Sequence, residues 1–236
     1  MQSTTWTPRA VESETFRLRR RLWRAVEAQH IASTLRLVAS ADEQLTLERI
    51  LEASKPPLPP GAAKLHYLLS TPFRYPSPFG SRFRAPTEPG VWYGAEALRS
   101  ACAELGYWRW RFLTDSPALE SLGPSPQTVF QAGIDTRAVD LTRAPFNKEQ
   151  ASWAHRSDYA ATQAFASVAR EAHLGAIRYA SVRDPEHGGA VAVLRWEAFK
   201  PTRPTAQSIW LLTVKKERAT WQRERETLEF SADLWM

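Results

Sequence analysis

GSRFRAPTEPGVWYGAEALRSACAE, residues 80–104, changes character twice. Its first half is dense in Gly, Pro and Arg, which disfavours regular structure because Pro lacks an N–H and Gly loses more chain entropy on ordering. Val91-Trp92-Tyr93 is then a short β-type run. After it Leu98, Ala101, Cys102, Leu105, Trp108 and Phe112 recur at the spacing of one helical face. Loop, strand and helix follow within one compact unit, the mark of a mixed α/β chain. At about 100° per residue Glu104 falls at the edge of the apolar stripe, where it can look into a cleft. The unit can hold a phosphate on its arginines, stack a planar ring on Tyr93 and set a carboxylate beside a sugar. The plain alternative is a loop, strand and helix whose Arg and Glu are solvated.

Upstream, Arg17–Arg21 reads RLRRR, a solvated basic face leading into a helical stretch over Leu22–Val38. Ser40 and Glu43 have capping-box spacing, so a second helix is expected over about Ala41–Ala53. Lys55–Pro60 is a stiff spacer inside one domain, and Thr71–Gly90 is a long ordered loop. Downstream, Thr128–Ile134 and Arg137–Leu141 read as strands with a turn between them. Ser157 or Asp158 caps a helix through Ala160–Ala169, with Gly175 at its C-cap. Ala176–Val182 with Ala190–Trp196, and Trp210–Val214 with Arg218–Trp221, read as two hairpins. The domain reading is one unit over 1–236, with a mainly helical section over 1–60 and a core over 61–236.

The chain has 43% apolar and 24% charged residues, which excludes wholesale disorder. Its net charge of +6 favours anionic partners without separating nucleic acid from phosphorylated small molecules or acidic proteins. The single Cys102 rules out an internal disulfide and suits a reducing compartment, so the cytoplasm is expected. No apolar run approaches a membrane span, and Met1–Ala10 lacks a signal-peptide pattern. The histidines His30, His66, His155, His173 and His187 show no ligand spacing, so no metal is expected; GxGxxG, P-loop, HExxH and GxSxG segments are absent.

Two blocks resemble the RES-domain family, whose members are toxins of bacterial type II toxin–antitoxin pairs. In residues 80–104 the family's Gly-flanked Arg, strand-ending Tyr and helical Glu correspond to Arg82, Tyr93 and Glu104. In DYAATQAFASVAREAHLGAIRYASVRDPEHGGAVAVLRW the closing helix, Gly and Tyr-x-Ser correspond to Gln163, Gly175, Tyr179 and Ser181. Leu22-Trp23-Arg24 resembles the Arg-bearing first element. The usual Gly-Arg-Trp-Asn is replaced by Ser81-Arg82-Phe83-Arg84.

The resemblance implies an α+β, ADP-ribosyltransferase-like fold: two small packed β-sheets, flanking helices and an NAD cleft. It implies no prosthetic group, with NAD as a substrate cleaved at the nicotinamide–ribose bond by water or phosphate, or used to modify a protein. Glu104, Arg82, Tyr93 and Ser181 would be the catalytic residues, and Arg82, Tyr93, Ser181 and Arg24 would bind the dinucleotide. Glu104 would stabilise the oxocarbenium, and Arg82, helped by Arg24, would hold the pyrophosphate. Tyr93 would either stack on the ligand or serve as a core aromatic with a bonded hydroxyl, and Ser181 would bond the nicotinamide amide or the phosphates. Arg74, Arg84 and Gln163 would be loop or supporting contacts. The implied partner is a cognate helix-turn-helix antitoxin that blocks the cleft. Membrane association is not expected, homo-oligomers stay open, and a basic nucleic-acid-binding module without catalysis is the alternative from another class.

Overall fold

The computed structural model describes residues 5–28, 38–75 and 77–236. A short helix, α1 (Pro8–Ser13), leads into a strand of 12 residues, β1 (Phe16–Glu27). The helix expected from Leu22 is therefore corrected over 22–28, while 29–37 lie outside the described residues. Leu18 and Leu22 are four apart and fit either periodicity. Backbone pairing along the whole of β1 decides the matter, with Arg17, Arg19 and Arg21 turned outward. Within the described part of 1–60, β1 therefore belongs to the central sheet and stands between two helical segments, Pro8–Ser13 and Ala41–Ser54.

Helix α2 (Ala41–Ser54) is capped as expected: Ser40 Oγ accepts from Glu43 N at 3.2 Å, and Glu43 Oε2 accepts from Ala39 N at 2.7 Å. Helix α3 (Tyr67–Arg74) takes the start of the expected loop, with Pro72 inside it. Strand β2 (Trp92–Ala95) and helix α4 (Leu98–Thr114) follow. The next strand, β3 (Ser121–Asp140), is continuous over 20 residues where a turn had been expected. Asp135, which reads as a turn residue, instead accepts from Arg17 of β1 at 2.7 and 2.9 Å. Helices α5 (Gln150–Trp153) and α6 (Ala160–Glu171) precede β4 (Ala176–Ala180), β5 (Gly189–Val193), β6 (Ala206–Lys215), β7 (Arg218–Arg223) and β8 (Glu226–Ser231). Both expected hairpins are present, and β8 extends the second.

The strands form one eight-stranded mixed sheet, ordered β1-β2-β5-β4-β3-β6-β7-β8 and closed on itself by an additional β1–β3 pairing, where two separate sheets had been expected; it has two facing halves. One is the antiparallel run β1-β3-β6-β7-β8, and the other is β4-β5-β2. They join at two seams: β3 runs parallel to β4 at Ala138–Asp140, and β1 meets β2 at the single pair Trp23 and Ala95. Leu18, Leu22, Phe130 and Ile134 from one half pack on Trp92, Val191 and Val193 from the other. Each such buried side chain contributes about 1.5–3 kcal/mol. Helices flank this pair, as an α+β architecture requires.

Helix α4 lies where its periodicity puts it but is rotated about its axis. Its buried face carries Ala103, Gly106, Tyr107, Trp110 and Leu113, whereas Trp108 and Phe112 are 53% and 52% exposed. Gly106 lets the sheet and Trp235 approach, since a Cβ there would lie 3.3 Å from the indole. Trp110 satisfies its N–H on the Lys216 carbonyl at 2.9 Å. Cys102 is fully buried on this face, and burial pushes its thiol up to about 12, so it packs as a small apolar residue.

Gly175 is not the C-cap of α6. His173, at φ 56°, takes the left-handed position, and Gly175 is required because a Cβ would sit 1.9 Å from Thr136 Oγ1. Gly175→Ala is therefore expected to cost about 1–3 kcal/mol in urea unfolding. Thr136→Ala in the same chain removes the nearest clashing atom and should recover part of that loss.

Candidate active site

The site opens at the weaker seam. Because β1 and β2 share one residue pair, a cavity of about 260 Å³ lies there, lined by Trp23 and Arg24 of β1 and by Tyr93, Gly94 and Ala95 at β2. The arginine loop, α4, the start of α6 and the β4–β5 hairpin complete it with Arg82, Glu104, Trp108, Tyr159, Tyr179 and Arg183.

The loop is built to present Arg82. Ser81 and Arg84 exchange backbone hydrogen bonds at 2.8 and 3.1 Å, making a tight turn. Phe83 points into the core against Tyr179, with ring centroids 4.8 Å apart, and so turns Arg82 the other way. The Tyr93 hydroxyl holds the turn, pairing with Ser81 Oγ at 2.8 Å and accepting from Phe83 N at 3.0 Å. Gln163 Nε2 donates to the Ser81 carbonyl at 2.9 Å, while Arg84 donates to the carbonyls of Ser77 and Phe79. Arg74 lies elsewhere, bonded to the Pro56 carbonyl and Glu52.

Arg82 is itself fixed: Nη1 donates to the carbonyls of Trp153 and His155 at 2.9 and 3.0 Å, and its plane lies 4.7 Å from the Tyr159 ring centre. Among the described residues its Nε and Nη2 have no hydrogen-bond partner, which leaves a two-pronged edge for an anion. Arg24 reaches across the seam to the Tyr93 carbonyl at 2.9 Å and lies 5.2 Å from the Trp92 ring centre. Its Nε is buried without a partner among the described residues, and burial pushes the guanidinium down to about 10, still protonated at neutral pH.

Glu104 faces these cations. Its Oε1 accepts from Ser181 Oγ at 2.5 Å, and Ser181 Oγ in turn accepts the backbone N–H groups of Arg183 and Asp184, each at 3.2 Å. Burial pushes the Glu104 carboxyl up, while the Ser181 bond and the charges of Arg82 and Arg183 pull it back. Burial also holds the Tyr179 hydroxyl well above its usual range. The arrangement can take an anion on fixed guanidinium groups and set one carboxylate against a developing positive charge.

All four residues expected to be catalytic, and Arg24, line or adjoin this one cavity. Tyr93 and Ser181 have their hydroxyls committed to the loop and to Glu104. Sequence reasoning did not single out Arg183 or Tyr159, nor Trp108 at the mouth. Arg183 follows the Tyr-x-Ser block by two residues, and Tyr159 is itself the N-cap residue of α6, where Ser157 or Asp158 had been expected; Asp158 Oδ1 accepts from Ala160 N at 2.9 Å. A second charged cluster is closed on itself: Arg178 bonds Glu96 at 2.9 and 2.8 Å and Asp140 at 3.1 Å. Among the described residues no His, Cys, Asp and Glu group could hold a metal, and no helix is long and apolar enough to cross a membrane.

Residues 58–221 match the family model described as RES domain, a span that includes Arg82, Tyr93, Glu104 and Ser181 but not Arg24. A chain of the "Crystal structure of the M.tuberculosis MbcT-MbcA toxin-antitoxin complex" is similar over 94% of this chain and 89% of its own, with 13% identity and a TM-score of 0.47. No curated protein matches.

The buried Glu104 has a consequence for stability. A carboxyl whose folded-state pKa is raised favours folding most below its unfolded pKa, and that contribution is lost as pH rises through the folded value. Glu104→Gln should therefore melt at a higher temperature than the parent at neutral pH. The gap should close below about pH 4, where both chains carry a neutral group. Melting curves across pH check this, and a parent that is the more stable at neutral pH would contradict it.

Proposed function

Since the chain belongs to the RES-domain family, we propose that it is the toxin of a bacterial toxin–antitoxin pair and acts in the cytoplasm by breaking the nicotinamide–ribose bond of NAD. One observation carries this reading: a single buried carboxylate, Glu104, shares a cavity with the guanidinium groups of Arg24, Arg82 and Arg183. A dinucleotide brings both matching charges, a diphosphate for the arginines and a ribose that becomes cationic as nicotinamide leaves.

In this reading the free edge of Arg82 takes pyrophosphate oxygens, and the guanidinium of Arg24 in the cavity wall adds its charge. The C–N bond breaks with its electron pair going to nicotinamide, which departs neutral and needs no proton. Glu104, ionised and held by Ser181, stabilises the oxocarbenium left on the ribose. Water or phosphate then bonds to the anomeric carbon, water giving up a proton to solvent. The rings of Tyr93 and Trp108 offer faces for the planar parts of the ligand. An enzyme draining a shared cofactor harms its host, so a helix-turn-helix antitoxin that covers the cavity fits this chemistry.

Purified protein incubated with NAD, with and without phosphate, should release nicotinamide together with ADP-ribose or its phosphorylated form. Glu104→Gln should lower the rate by about 100–1000-fold while remaining folded. Arg82→Lys should be nearly as damaging as Arg82→Ala, since a point charge does not replace a two-pronged donor. Intact NAD in the parent reaction would overturn the proposal, and ADP-ribose attached to protein would identify a transferase.

A further inference from the structure

Resting on the NAD-cleaving reading, we propose that Arg183 is a positioning residue for that reaction, setting Ser181 and Glu104, and that Trp235, outside the matched 58–221, holds it in place. Arg183 is 4% exposed and acts on the site from three of its parts. Its backbone N–H donates to Ser181 Oγ at 3.2 Å, leaving the hydroxyl proton of Ser181 for Glu104 Oε1 at 2.5 Å. Its guanidinium lies 3.6 Å from the Tyr107 ring centre and donates to the Arg156 carbonyl and, at 3.3 Å, to the Tyr159 hydroxyl. The Tyr159 ring in turn carries Arg82.

The third part is the Arg183 carbonyl, which accepts a buried bond from Trp235 Nε1 at 2.8 Å. Trp235 stands edge-on to Tyr107, with centroids 5.9 Å apart, and is stacked on Phe230 of β8 at 6.2 Å. The indole therefore grips both the peptide of Arg183 and the ring beneath its guanidinium. A buried guanidinium needs partners, and this one finds an aromatic face, a carbonyl and a hydroxyl in place of a carboxylate, so its charge is left to act on the cavity.

The groups facing Glu104 are Ser181, Arg183 and Asp184 from the hairpin, Arg82 from the loop and Tyr179 from β4. Of these, Arg82 and Arg183 favour the ionised carboxylate and Asp184 opposes it. Removing the Arg183 charge makes Glu104 harder to ionise, so the acidic limb of kcat/KM must move to higher pH.

The test compares parent, Arg183→Lys, Arg183→Met and Trp235→Phe proteins for NAD loss across pH, with circular dichroism and melting as folding controls. In Arg183→Met the acidic limb should rise by about one pH unit and kcat should fall more than KM rises. Arg183→Lys should restore part of the profile, and Trp235→Phe, which keeps the ring but loses the N–H, should shift it in the same direction by less. An active parent with an unaltered pH profile in Arg183→Met overturns this inference and leaves NAD cleavage standing. Should Arg183→Met not fold, an unaltered profile in Trp235→Phe overturns it instead. A folded parent that leaves NAD intact overturns the NAD reading and this inference with it.

Discussion

Strand β3 is bound along its length by three others, and this sharing sets the shape of the molecule. Residues 127–138 pair with β1, 121–131 with β6, and Ala138–Asp140 with β4, so one strand is common to both halves of the sheet. Between the last two, Lys200 N donates to the Gly133 carbonyl at 2.9 Å and Phe199 bridges to Ile134. Buried backbone groups must be paired, and β3 meets that demand by pairing with β1, β6 and β4, which brings the two halves of the sheet face to face. The opposite seam is left with a single residue pair, and the cavity forms there.

Polar cost concentrates at that seam. Guanidinium groups and a carboxylate are withdrawn from water, yet Glu104 is bonded by a hydroxyl and no arginine is locked onto it as an ion pair among the described residues. Aromatic faces and backbone carbonyls hold the arginines instead, and several of their N–H donors are left without a partner among the described residues. Such a site is oriented before a ligand arrives, which is how fixed charges act most strongly on a reacting centre. The apolar packing of Trp92, Phe130 and Trp221 elsewhere offsets the loss.

Local signals served the sequence reading wherever neighbours in the chain decide the outcome. The Ser40 cap, the α4 and α6 helices and both hairpins were legible, because capping atoms, helical spacing and hairpin turns act over a few residues. β1 was misread since Leu18 and Leu22 suit either period and only the distant β3 selects one. Asp135 looked like a turn for want of Arg17, 118 residues away. The stripe of α4 was misplaced because Tyr107 and Trp110 bury their rings, the Trp110 N–H being met by the distant Lys216 carbonyl, and Gly106 admits close packing that no hydrophobic count rewards. In the site, Arg82, Tyr93, Glu104 and Ser181 came from a family pattern. Arg183 and Tyr159 carry no local signature and become visible only when ring faces and carbonyls are placed around them.

The shared strand also dictates an order of events during synthesis. β1 meets β2 at a single residue pair and gains its main partner only when residues 127–138 have been made, so a nascent chain carries a largely unpaired, arginine-rich edge for about a hundred residues of growth. Arg24 then waits for Arg183, still further along, before the two can line one cavity. Closing so long a loop is slow and comes late. A truncated or stalled chain thus has the arginines without the pocket, and any harm this protein can do begins only once its distant parts have met.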